Sequence, residues 1–101
     1  MKSTNEPLAC KLTSAELRER RTTVIRELKA LVTRKDDKET GYAYHFASDD
    51  HVLDKLVDFV KSERRCCPFF SFALLIEDGS AILEITGPEG AKKFLEQEVG
   101  F

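Results

Sequence analysis

The sequence contains no tryptophan, one methionine and three cysteines among its 101 residues. The cysteines are Cys10 and the adjacent pair Cys66 and Cys67. An odd number of cysteines, two of them adjacent, is a poor framework for structural disulfides. We therefore expect free thiols and a protein of the reducing cytosol, where thiols are kept reduced.

Long apolar runs are also missing from the sequence. No stretch approaches the roughly 20 consecutive apolar residues that a membrane-spanning helix needs. The first ten residues contain a lysine, a glutamate and a proline but no apolar segment, so we expect no secretory signal peptide. These absences predict a cytoplasmic protein with no membrane partner.

Neither sign of charge is in large excess, because the net charge at pH 7 is only -2 although 34% of the residues are charged. A nucleic-acid-binding domain usually carries a basic surface, so we expect no nucleic-acid partner. The P-loop, the dinucleotide-binding fingerprint, G-x-S-x-G and H-E-x-x-H are absent as well. These absences favour a protein that is not an enzyme.

The pattern of apolar residues predicts one α+β domain over residues 1–101, with a flexible lead-in over residues 1–9. Apolar residues recur with a helical period over 14–34, 50–66 and about 87–99. They alternate, or form β-rich runs, over 41–47, 69–77 and 80–86. The predicted order is α-β-α-β-β-α, with a three-stranded, mainly antiparallel sheet and a polar connector over 34–39.

The last two predicted strands are joined by Asp78 and Gly79, a strong signal for a two-residue hairpin loop. One face of this hairpin is only half apolar and carries Leu75 and Ile82. An apolar sheet face is normally covered by another layer. We expect the first helix or a second copy of the chain to cover it, and a homodimer is our prediction.

The residues most suggestive of chemistry are Cys66 and Cys67, at the predicted junction between the second helix and the following strand. Pro68 disfavours helical geometry at Cys67, so the helix should end there. Adjacent sulfurs do not easily span a tetrahedral metal site alone, and Cys10 is the obvious third ligand. Three thiolates suit a soft ion such as mercury, arsenite, zinc or copper(I). The sequence therefore predicts a metal site formed by Cys10, Cys66 and Cys67.

Three other interpretations of this cysteine pair remain open. The two cysteines can simply pack in the core of a structural or interaction module, a common role for free cysteine. They can form a strained vicinal disulfide and act as a thiol redox switch. One of them can be an enzyme's nucleophile, but this requires a nearby base, and neither His45 nor His51 is predicted to lie close.

Two charged residues on predicted buried stripes need partners. Arg21 interrupts the apolar stripe of the first helix, and we expect it either to extend to solvent or to pair with a buried acid such as Glu84. Glu63 lies one turn before the cysteine pair. It can join a metal site, although pairing with a neighbouring arginine is the more common role of such a glutamate.

Two segments carry a resemblance to known proteins: residues 63–69, which read E-R-R-C-C-P-F, and residues 83–94, which include T-G-P-E-G-A-K-K-F. With Leu8-Ala9-Cys10 ahead of the first helix, they resemble a family of small bacterial proteins of uncharacterised activity associated with heavy-metal resistance. The Cys-Cys-Pro-Phe segment is also similar to stretches in metal-responsive regulators of the MerR type, but this chain lacks their helix-turn-helix domain. The resemblance implies that the three cysteines form one set: Cys10, Cys66 and Cys67.

Overall fold

The structure, a computed structural model, describes residues 14–101. The predicted α+β class is confirmed, but the observed order is α-β-β-α-β-β-α, and the sheet has four strands rather than three. The predicted lead-in over residues 1–9 lies outside the described residues. The elements are α1 (Ala15–Lys29), β1 (Arg34–Lys38), β2 (Gly41–Phe46), α2 (Asp50–Cys66), β3 (Ser71–Glu77), β4 (Ser80–Thr86) and α3 (Ala91–Glu98).

The additional strand is β1, where the sequence predicted the end of the first helix and a polar connector. Helix α1 ends at Lys29, and β1 pairs with β2 in an antiparallel register from Arg34 opposite His45 to Lys38 opposite Gly41. All five residues of β1 are charged, so the strand has no alternation of apolar and polar residues. It forms at the edge of the sheet, where charged side chains also discourage pairing with other chains.

All neighbouring strands of the sheet are antiparallel, in the order β1-β2-β4-β3. The predicted hairpin between β3 and β4 is confirmed, with Glu77 opposite Ser80 and Gly79 at a φ of 81°. One face of the sheet carries the core. Its buried side chains from the two central strands are Tyr42, Tyr44, Phe46, Ala81, Leu83 and Ile85.

Helix α2 lies against this core with a continuous buried stripe. Asp49 caps its N-terminus by accepting a 3.0 Å hydrogen bond from the backbone N–H of Val52. The buried residues follow one another at intervals of four and three residues, as expected for one face of a helix: Val52, Leu56, Phe59, Glu63 and Cys66. Glu63 and Cys66 are thus held inside the domain by the same periodicity that buries the apolar residues.

The opposite face of the sheet is more open. Leu75 on β3 keeps 53% of its surface exposed, while α1 packs against α2. The homodimer that would cover this face stays a prediction. Within residues 14–101, no helix has both the length and the apolar character that crossing a membrane requires.

Candidate metal centre

The chain turns sharply at the cysteine pair. Cys67 follows the last residue of α2, and its N–H still donates a 2.7 Å hydrogen bond to the carbonyl oxygen of Glu63. Its own carbonyl oxygen accepts a 3.1 Å hydrogen bond from the N–H of Phe70, which closes a turn through Pro68 and Phe69. Proline is well suited to the second position of such a turn. The predicted end of the helix at the pair is therefore confirmed, and Cys67 is held by backbone hydrogen bonds on both sides.

A buried group of three potential ligands forms at this turn. The ligand atoms of Glu63, Cys66 and Cys67 all lie within 4.8 Å of one another, and all three residues are buried. The Sγ atom of Cys67 lies 3.4 Å from that of Cys66 and 3.5 Å from Oε2 of Glu63. The structure thus brings two of the predicted ligands together and adds a carboxylate. The third, Cys10, lies outside the described residues.

The two adjacent sulfurs differ in oxidation state. Cys67 is a free thiol, whereas Cys66 is disulfide-bonded. The expectation of free thiols is therefore correct for Cys67 and wrong for Cys66, and a vicinal disulfide between the two is not formed. Because the thiolate is the form that binds metals, Cys66 can act as a ligand only after its disulfide is reduced.

Glu63 is neutralised by an arginine from the neighbouring helix. Nε and Nη2 of Arg21 each donate a 2.8 Å hydrogen bond to a different carboxylate oxygen of Glu63. Glu63 is fully buried and the Arg21 side chain is 10% exposed. Of the two expected arrangements of Arg21, pairing with a buried acid is the one observed, but the acid is Glu63 and not Glu84. The hydrogen bond to Glu63 raises the pKa of Arg21, which keeps the guanidinium charged.

The environment of Cys67 keeps its thiol protonated. Burial and then the negative charge of Glu63 raise the pKa of Cys67 to about 12, although Arg21 opposes both effects. At neutral pH the sulfur is therefore an S–H group that points toward a carboxylate. A metal ion could bind this sulfur only by displacing that proton.

Neither histidine is placed to assist these sulfurs. Nε2 of His45 lies 2.8 Å from the carboxylate of Asp36, on the open face of the sheet. His51 lies in the first turn of α2, while Cys66 is its last residue. With a rise of about 1.5 Å per residue, the two ends of this helix are more than about 20 Å apart. Neither histidine can therefore serve as the base that a catalytic cysteine at this position would require.

Comparison of the chain with protein-family models, curated proteins and solved structures finds no match. Sequence reasoning identified Cys66 and Cys67 but not the pairing of Arg21 with Glu63, which lie 42 positions apart. A charged residue on each of two apolar stripes was the signal that could have predicted that pair.

The ion pair between Arg21 and Glu63 should contribute strongly to stability. Removing one partner of a buried pair leaves the other charge buried without compensation, so we expect Arg21→Met to lower the free energy of unfolding by about 3–5 kcal/mol. Lys55→Met is the matched control. It breaks the more exposed pair between Lys55 and Glu27, which also joins α2 to α1, and should cost at most about 1 kcal/mol. Urea unfolding measures both, and equal losses would contradict a special role for the buried pair.

The free thiol of Cys67 should react slowly in the native protein. Because only the thiolate is nucleophilic, iodoacetamide at about pH 8 should label native Cys67 roughly a hundredfold or more slowly than the chain unfolded in urea. The native rate should keep rising with pH beyond 9.0, the ordinary pKa at which the unfolded thiol levels off. Peptide mass spectrometry, with Cys67→Ser as the control, identifies the labelled position. Similar native and unfolded rates would show that the thiol is neither buried nor raised in pKa.

Proposed function

We propose that the reduced protein binds a soft metal or metalloid ion through Cys10, Cys66 and Cys67, in the cytosol of a cell that must withstand such ions. The observation that carries this proposal is the buried group in which the ligand atoms of Glu63, Cys66 and Cys67 lie within 4.8 Å of one another. The resemblance to bacterial proteins associated with heavy-metal resistance agrees with it. The candidate ions for this site are mercury, arsenite, zinc and copper(I).

The donor set favours a soft ion over a hard one. Sulfur donors select copper(I), zinc and related ions, whereas magnesium and calcium require a shell of oxygen ligands. Glu63 offers carboxylate oxygens, but both already accept hydrogen bonds from Arg21. The two sulfurs are thus the main donors among the described residues, and a third thiolate from Cys10 would complete a three-sulfur site.

Metal binding at this site must release protons. Cys67 is protonated at neutral pH because burial raises its pKa to about 12. Each thiol that loses its proton on binding makes the apparent affinity rise about tenfold per pH unit below its pKa. The free energy needed to remove this proton disfavours ions that bind sulfur weakly. Mercury and copper(I) form strong bonds with thiolates and are therefore the ions most able to bind here.

Titration of the reduced protein with each ion tests the proposal. We expect ultraviolet sulfur-to-metal absorbance and release of protons into a weakly buffered solution for at least one ion. Cys66→Ala and Cys67→Ala should each weaken binding at least about tenfold, in line with the loss of a ligand or of its supporting group. Ser71→Ala, an exposed position on β3, is the control and should change nothing.

Unchanged spectra with mercury, arsenite, zinc and copper(I) would end the metal proposal. One interpretation that would then remain is a structural or interaction module whose cysteines only pack. In that case the double substitution Cys66→Ala with Cys67→Ala would cost no more than the roughly 1–3 kcal/mol typical of a core substitution.

A second candidate function, a thiol redox switch, is favoured by the disulfide at Cys66. Two-electron reduction by a dithiol cleaves the S–S bond, converts its two sulfurs to thiols and leaves the reductant as a disulfide. Because Cys67 is free, the second sulfur must come from Cys10 or from another molecule. Reduction would then create the metal-binding form of the site.

The redox candidate predicts that metal binding depends on the state of this disulfide. Protein prepared without reductant should bind mercury at least about tenfold more weakly than protein treated with a dithiol, because a disulfide sulfur is not a thiolate ligand. A peptide map under non-reducing conditions identifies the sulfur bonded to Cys66. Equal affinities before and after reduction would exclude redox control of the site.

A further inference from the structure

A cavity of about 340 Å³ lies between α1 and α2, directly beside the candidate metal centre. Glu63 lines it, and Oε2 of the same residue lies 3.5 Å from Sγ of Cys67. The volume is within the range of about 300–1,000 Å³ that is usual for small-molecule sites. Cys67 itself does not line the cavity, so a molecule there would be separated from its sulfur by one residue, Glu63.

The described lining of this cavity carries a net positive charge, whereas the whole chain carries a net negative charge. This lining includes four cationic side chains and two acidic ones, whereas the chain as a whole carries -2. Arg21 and Glu63 neutralise each other. Of the lining residues in the described part of the chain, three cations have no carboxylate within ion-pair distance: Arg20, Lys61 and Arg65.

The rest of the cavity is partly apolar. Leu17, Val24 and Phe59 contribute to its lining, and Leu17 keeps 46% of its surface exposed although it lies on the apolar stripe of α1. An anion with a short hydrocarbon portion matches this combination, because its methylene groups can cover apolar side chains while its charges face the arginines and the lysine. A hydrated metal cation does not match it, since the cavity repels positive charge.

We propose that the metal enters this cavity as an anionic complex with small, carboxylate-bearing thiols and passes from that complex to the cysteines. This inference rests on the proposed function and names the form in which the metal arrives. Soft ions in a thiol-rich cytosol are held by small thiols rather than by water. When those thiols carry carboxylates, the whole complex is an anion, and the free cations around the cavity attract it.

The transfer is a ligand exchange without oxidation or reduction. A mercury(II) ion bound by two small thiolates loses one of them as its bond to Sγ of Cys67 forms. The proton of Cys67 leaves with the departing thiolate, which is released as a neutral thiol group. In the reduced protein, a second exchange of the same kind takes place at Cys66, whose Sγ lies 3.4 Å from that of Cys67.

Donors of different charge test the proposal. Mercury(II) is supplied to the reduced full chain as its complex with 3-mercaptopropionate, with 2-mercaptoethanol or with cysteamine, which are anionic, neutral and cationic respectively. We expect the rate of transfer, followed by stopped-flow ultraviolet absorbance, to be highest for the anionic complex by about tenfold or more over the cationic one. The difference should shrink as salt is added, because salt screens charges.

The triple variant Arg20→Gln, Lys61→Gln and Arg65→Gln should bring the rate for the anionic complex down to that for the neutral one. The control is Arg26→Gln, Lys29→Gln and Lys93→Gln, which removes the same charge from exposed positions outside the cavity lining. This control variant should still receive mercury(II) faster from the anionic complex than from the neutral one. Transfer from the neutral complex, which should be similar in all three proteins, verifies that the variants fold.

The outcomes separate this inference from the proposed function. Equal rates from all three donors would overturn it while leaving metal binding intact. Equal losses in the triple variant and its control would also overturn it, because net charge rather than the cavity would then set the rate. Failure to bind mercury from any donor, together with failure to bind free mercury(II), would overturn the proposed function as well.

Discussion

The buried ion pair between Arg21 and Glu63 is the interaction on which the rest of the site depends. A carboxylate without a partner is too costly to bury, so Glu63 can lie on the inner stripe of α2 only because Arg21 donates two hydrogen bonds to it. The same pair fixes α1 against α2 at the cavity. Removing it would therefore change helix packing, cavity and sulfur environment together.

The pair also determines the chemistry of the adjacent sulfur. Burial and the nearby negative charge of Glu63 both raise the pKa of Cys67, and the positive charge of Arg21 offsets only part of this increase. Cys67 therefore remains a neutral thiol. A neutral thiol reacts slowly with oxidants and electrophiles. The raised pKa thus protects the free thiol of Cys67. Under the proposed function, the same raised pKa would favour ions that bind sulfur strongly enough to displace the proton.

The parts of the fold that the sequence predicts are those with local signals. Helix α2 is predicted at its observed bounds because Asp49 caps one end and Pro68 follows the other. Strand β1 is missed because five charged residues carry no apolar alternation, and only pairing with β2 makes them a strand. The cysteine pair can be identified from the sequence because the two cysteines are adjacent and Pro68 follows them. The partner of Arg21 is missed because 42 positions of sequence separate it from Glu63.

Cys66 and Cys67 are adjacent in sequence but have different chemical roles in this structure. Cys66 is disulfide-bonded, whereas Cys67 keeps its proton beside a carboxylate. One sulfur cannot be both a disulfide partner and a metal ligand, so the redox and metal candidates describe alternative states of one site. In the oxidised state, Cys67 alone can offer a thiol among the described residues, and a single sulfur binds a soft ion weakly. Reduction would supply the second sulfur 3.4 Å away, so the proposed capture of a soft ion would require a reducing environment.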